Sequence, residues 1–127
     1  MRPIFTSVDR LQSTLDFHRD RHAVLSSNLA NVDTPGFRPM DIRGRAASEA
    51  EGTLAVSHAA HLGSEGLDPT RESFTDDAGA EPSPDGNTVE LERELAKLDA
   101  NRVRYVAVSE LASRRLAMLR YAAGDGG

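Results

Sequence analysis

Apolar residues recur at helical spacing near both ends of the chain and lose that period in between. Ile4, Val8, Leu11, Leu15, His18, His22, Leu25 and Leu29 alternate steps of four and three, which is a heptad seam. The pattern predicts a helix from about Thr6 to Asn31, with Thr6 as N-cap and Asp9 in the acidic first turn. Arg10, Asp16, Arg19, Asp20 and Arg21 fall on its other faces. A second seam follows Leu91, Leu95, Leu98, Arg102, Tyr105, Ser109, Ala112, Leu116 and Leu119. Asn87 is the expected N-cap of that helix, with Glu90 at the capping-box position and Glu92 and Glu94 close behind. Arg114, Arg115 and Arg120 sit toward its other end and Gly124 is a natural stop, giving a rod of about 55 Å.

What ends the first helix can be derived locally. Pro35 pushes Thr34 out of the α region, so the helix must stop upstream of it. Pro35 and Gly36 then suit the two central positions of a type II turn, proline supplying φ near −65° and glycine the positive φ. Asn28 and Asn31 share a helix face, where their amides can bond the last carbonyls of the helix or a neighbouring backbone.

The middle of the chain reads differently. Residues 38–43 look extended, and Thr53-Leu54-Ala55-Val56-Ser57 alternates weakly like a short strand. Residues 65–87 are rich in Gly, Pro, Ser and acid, a composition expected to form a mobile linker because it buries too little apolar area to offset ordering entropy. The fold class expected is therefore mainly α. Two long terminal helices form a coiled-coil pair, joined by a partly extended, partly disordered acidic segment. Three regions follow: 1–37, 38–86 and 87–127, the two helices making one structural domain.

Composition narrows the chemistry. At 127 residues, 39% hydrophobic and 5% aromatic, the chain can build one domain with a modest core. With no cysteine there is no disulfide framework and no thiolate metal site. The net charge of −5 is unevenly spread: residues 46–86 carry one arginine against nine acids, while both ends are slightly basic. That distribution lacks the basic face nucleic-acid binding needs. No run of eighteen apolar residues is present, so no direct membrane insertion is expected, and the N-terminus has no apolar core of a secretory signal peptide.

His18 and His22 stand at metal-ligand spacing in the first seam, as do His58 and His61 in the middle segment. Neither pair has an evident third ligand, so packing and hydrogen bonding are the expected roles, and no metal or cofactor is assigned. There is no nucleophile motif and no phosphate loop, and Asp76 and Asp77 read as solvated charge, so no enzyme is expected. Two heptad helices of about 25 and 35 residues leave apolar stripes too wide for a soluble monomer. The seam residues Leu11, Leu15, Leu25, Leu29, Leu91, Leu95, Leu98, Tyr105, Ala112, Leu116 and Leu119 must pair with each other, with other subunits or both, and assembly is expected because the longer helix outruns the shorter.

The stretch Asn28-Leu29-Ala30-Asn31-Val32-Asp33-Thr34-Pro35-Gly36-Phe37 resembles the A-N-x-x-T-P-G-[YF] signature of flagellar rod and hook axial proteins. Asp85-Gly86-Asn87-Thr88-Val89-Glu90-Leu91-Glu92-Arg93-Glu94 is similar to the D-G-N-x-V-x-[LM]-x-x-E start of the last helix in rod members of that family. Tyr105 and Met118-Leu119 also fall where that helix carries them. The segment Ser57 to Leu62 is similar to a family T-H-x-x-H-[LI] stretch, with serine for threonine and Ala59 where proline is usual.

This resemblance implies a structural subunit of the proximal rod of the flagellar basal body, assembling into the periplasm-spanning, torque-transmitting rod. Partners would be other rod and basal-body proteins, copies of itself and, in transit, the flagellar export apparatus, through which the chain would leave without a cleaved signal peptide. Asn28, Ala30, Asn31, Thr34, Pro35 and Gly36 would set the direction in which the chain leaves the first helix, and Phe37 would anchor the turn on a neighbour. The alternative is a helical export adaptor or chaperone binding a flagellar partner, which leaves the Thr34-Pro35-Gly36 signature unused.

Overall fold

A computed structural model describes residues 3–44 and 71–124 of the chain, with side chains from residue 7 onward in the first segment. The strand expected at residues 53–57 and the His58/His61 pair lie outside the described residues.

Helix α1 spans Pro3–Ala30 and helix α2 spans Leu91–Gly124. Between them strand β1, Met40–Gly44, pairs antiparallel with strand β2, Arg71–Thr75. The chain is mainly helical, and the helices lie against each other in opposite sense. Asn28 near the end of α1 meets Glu94 at the start of α2, His18 meets Asn101, and Leu11 and Thr14 share a groove with Leu111 and Arg115. The seams left this direction open, because the residues between them permit either.

Helix α1 begins three residues before the expected cap, at Pro3, where the missing proline N–H costs no hydrogen bond because first-turn N–H groups have no partner within the helix. It ends as expected: the Phe37 N–H donates to Thr34 O at 3.2 Å across the Pro35-Gly36 turn, and Gly36 adopts φ +70°. Those are the marks of a type II turn.

Helix α2 departs from the sequence reading at its start. The Glu94 N–H donates to Glu90 O, so Glu90 is the cap, and Asn87 sits three residues outside it. The Asn87 Oδ1 accepts from the Val89 N–H, before the helix begins, while its Nδ2 is turned to the end of α1.

The linker expected over residues 65–87 is also corrected over its described part. Residues 71–75 form β2, with Met40 opposite Thr75 and Gly44 opposite Arg71. A two-stranded ribbon is marginal by itself. Here α1 holds it: Arg71 pairs with Asp20 and donates to Asp16 O, Arg21 forks onto Asp41, and Ile42 is buried. Acidic composition hides these ties because each partner is remote in sequence.

Among the described residues the buried apolar side chains are Leu25, Pro39 and Ile42, while Asn28, Glu94 and Asn101 are each only 1% exposed. The most buried side chains of the helix pair are thus one leucine and three polar residues. Of the expected α2 seam, Leu98, Ala112 and Leu119 are half-buried, whereas Leu91, Leu95, Tyr105 and Leu116 are exposed. The more buried face runs instead through Glu94, Leu98, Asn101, Val108, Ala112, Arg115 and Leu119, in steps of three and four with one gap of seven.

Candidate functional site

The two motifs read separately along the sequence form one joint. Ser83 to Asn87 makes a tight turn in which Gly86 N–H donates to Ser83 O and Ser83 N–H donates to Asn87 O, both at 2.8 Å. Gly86 adopts φ +80° there. This turn docks on the signature turn. Gly36 N–H donates to Asp85 O at 3.0 Å, and Thr88 N–H donates to Phe37 O at 3.1 Å. A Cβ at Gly86 would lie 3.7 Å from the Gly36 Cα, an ordinary contact, so the positive φ and not lack of space is what calls for glycine there.

Asn87 closes the joint. Its Nδ2 lies 3.0, 3.0 and 2.7 Å from the carbonyl oxygens of Asn31, Val32 and Thr34, sharing two hydrogens among three acceptors. Its Oδ1 accepts from the Val89 N–H at 2.7 Å, and the residue is 3% exposed. The carbonyls left over where a helix ends need such donors.

Asn28 works one turn earlier. Its amide faces Met40 like a strand partner, Nδ2 donating to Met40 O at 2.7 Å and Oδ1 accepting from Met40 N–H at 2.9 Å. The second Nδ2 hydrogen reaches Glu94 Oε2 at 2.8 Å. One side chain thus ties α1, β1 and α2 together. Asn31 stays local: Nδ2 donates to Ser27 O at 2.8 Å and Oδ1 accepts from the Thr34 hydroxyl at 3.0 Å. Ala30, Thr34, Pro35 and Gly36 are exposed and Phe37 is half-buried.

Charge extends this joint into the middle segment. Glu94 Oε1 accepts from Lys97 Nζ at 2.9 Å, and Lys97 also pairs with Asp76, which Arg93 reaches at 2.9 Å. Burial works against the charge on Lys97, but hydrogen bonds to Asp76 and Glu94 outweigh it and hold the ammonium above the ordinary lysine range. Arg38 donates to Asp77 at 2.6 Å, which holds that carboxyl below the usual aspartate range. Arg21 is likewise raised, by its hydrogen bonds to Asp41. Asp76 and Asp77, expected as solvated charge, are therefore structural ties.

Farther along the pair, His18 and Asn101 clasp each other. Asn101 Nδ2 donates to His18 O at 2.8 Å, which leaves Oδ1 as the acceptor for the ring Nδ1–H at 2.7 Å. His22, one turn on, is exposed. Among the described residues no group of three or more His, Cys, Asp or Glu side chains could hold a metal, and no helix is long and apolar enough to cross a membrane.

Sequence reading found Asn28, Asn31 and the turn, but missed Asn87, Glu94 and Asn101 in these roles. A polar residue at an inward heptad position was the available signal, since such residues commonly fix register and partner.

A helical hairpin that locks its chain reversal with buried amides while leaving large apolar side chains exposed along one helix has the surface of a protein that partners cover. The family described as flagella basal body rod protein matches residues 11–38, a stretch that covers most of α1 and the signature turn. The chain is 32% identical over 105 residues to the flagellar basal body rod protein FlgB of Yersinia enterocolitica, covering 74% of this chain and 76% of that one. It is 31% identical over 105 residues to that of Escherichia coli, covering 74% and 75%, and 34% identical over 102 residues to that of Cereibacter sphaeroides, covering 78% and 79%. The chain belongs to the FlgB family of flagellar basal body rod proteins, a structural family and not an enzyme family.

Proposed function

We propose that this chain is a structural subunit of the proximal rod of the flagellar basal body, assembling into the rod that spans the periplasm and transmits torque. The observation that supports this reading best is the joint between the signature turn and the start of α2. It fixes the angle at which the chain leaves α1 through backbone bonds and one buried asparagine. A helical array repeats one heterologous contact, so an error in that angle would propagate through every subunit.

The exposed apolar length of α2 supports the same reading. Leu95, Val103, Val106, Leu111, Met118 and Tyr121 are 47% to 73% exposed, on more than one side of the helix. Large apolar side chains left bare along a helix mark surface that a partner covers. Its neighbours on this reading are other rod and basal-body proteins and further copies of this chain, with the flagellar export apparatus met in transit.

Gly36→Val tests the reading. Valine at φ +70° is strained by roughly 1–2 kcal/mol or more. The expected outcome is a protein made and exported at normal level in cells that do not swim and whose isolated basal bodies lack it. Normal swimming would refute the role of the turn, and a wild-type chain absent from isolated basal bodies would refute the rod reading.

A further inference from the structure

The structure assigns to the open end of the hairpin a docking groove for the segment Glu90-Leu91-Glu92 of a second copy of this chain, and this deepens the rod reading by naming a contact between subunits. A groove of about 350 Å³ lies between α1 and α2, with Leu11, Thr14 and Leu111 along it and Arg10 and Arg115 at its sides. Its walls are apolar, because the Thr14 hydroxyl is already turned back onto Arg10 O at 2.8 Å. Arg10 and Arg115 make no ion pair among the described residues, and the buried Arg115 Nε has no hydrogen-bond partner. That Nε is already covered by the chain; it is the two guanidinium groups without an ion pair, standing beside an apolar floor, that a pair of carboxylates fits.

The other end of the molecule carries the complement. Leu91 is 45% exposed at the first position of α2, between exposed Glu90 and Glu92, and Leu95 is exposed one turn on. An apolar knob between two carboxylates matches an apolar groove between two arginines in both shape and charge. Neither glutamate has an ion-pair partner among the described residues, so the segment is available. The groove lies well along α2 from the knob: Leu91 and Leu111 are about 30 Å apart along the helix at 1.5 Å per residue. The knob therefore cannot enter its own groove. Laid end to end, each copy keeps one knob or one groove unused, which makes the contact heterologous and open-ended, whereas a reciprocal antiparallel pair would close and stop at a dimer.

The test uses the absence of cysteine from the natural chain. The purified full-length double variant Leu95→Cys with Leu111→Cys, whose thiols lie about 24 Å apart on one helix, should give a ladder of disulfide-linked oligomers on mild oxidation. High salt should abolish the ladder, as should Arg10→Glu or the pair Glu90→Arg with Glu92→Arg introduced into it. Mixing the Arg10→Glu and Glu90→Arg/Glu92→Arg versions should restore it. Circular dichroism of each variant establishes that helix content is unchanged, and Arg10→Glu, at an exposed position, serves should the glutamate pair fail to fold.

No ladder in the folded double variant, or equal dimer formation by either single-cysteine chain, would overturn the proposal. The same double variant in isolated basal bodies separates the two readings. Co-fractionation without the cross-link overturns this contact and leaves the rod reading standing. A ladder in the purified chain without co-fractionation supports the contact and removes the rod reading.

Discussion

Asn87 shows how one side chain comes to govern a chain reversal. As an N-cap it would satisfy one N–H of its own helix, a role worth about 1 kcal/mol. As found, it also serves three carbonyl oxygens at the end of a different helix from a site 3% exposed. Removing the donor leaves those oxygens poorly satisfied, so Asn87→Ala should destabilise the chain by about 1–3 kcal/mol. Asn87→Asp should be worse, because a carboxylate would face the same three oxygens. Urea denaturation followed by circular dichroism measures both; an Asp variant as stable as wild type would show that the amide does not hold the turn. Gly36 and Gly86 were legible as turn glycines from their neighbours Pro35 and Asp85. Their mutual approach was not, since it depends on two turns meeting in space.

At the scale of elements, the helix pair is specified by polar contacts more than by apolar bulk. A buried polar pair is costly unless fully satisfied, and when satisfied it penalises every other register. His18 with Asn101, and Asn28 with Glu94, are about a third of the pair's length apart. Sliding one helix by a turn would strand all four. A double-mutant cycle on His18→Ala and Asn101→Ala should therefore give a coupling of about 0.5–3 kcal/mol in unfolding free energy. Additive losses would mean the two residues act separately. The heptad period of α2 was legible, but its inward face was shifted around the helix. Leucines are the natural choice for a core when only hydropathy is weighed, yet Leu91, Leu95 and Leu116 were displaced outward by Glu94 and Asn101, whose partners on α1 lie 66 and 83 residues away.

For the whole molecule, the acids of the middle segment are what fasten it to the helices. Asp77 titrates below the ordinary aspartate range because Arg38 donates to it. Its contribution to stability is thus present above the unfolded-state value and lost as pH falls through the lower folded value. Lys97 has the opposite sign: its folded value is raised, so its contribution holds below the unfolded-state value and is lost as pH rises through the folded one. Unfolding free energy measured against pH should fall off at both extremes. Asp77→Asn should flatten the acid side and Lys97→Met the alkaline side; a variant that leaves its own side unchanged would show that its ion pair contributes nothing. The same segment places β2 beside β1 and leaves the apolar length of α2 uncovered, so the fold completes its joint internally and presents its helix for assembly.

What the sequence by itself determined are the features set by near neighbours: two long helices, from a period of three and four; the end of α1, from a proline that forbids the helix and a glycine that allows the turn; and membership in a family of axial subunits, from motifs at the two chain reversals. What only the tertiary structure decided are the features set by remote partners. Asn87 closes α1, because three carbonyls 53 to 56 residues upstream take its Nδ2, a donor that capping its own helix would leave unused. Residues 71–75 become a strand, because β1 and α1 supply bonds their composition could not announce. The physical reason is the same in each case: backbone propensity acts over a few residues, while a polar side chain settles wherever the folded chain offers the partners that offset its burial.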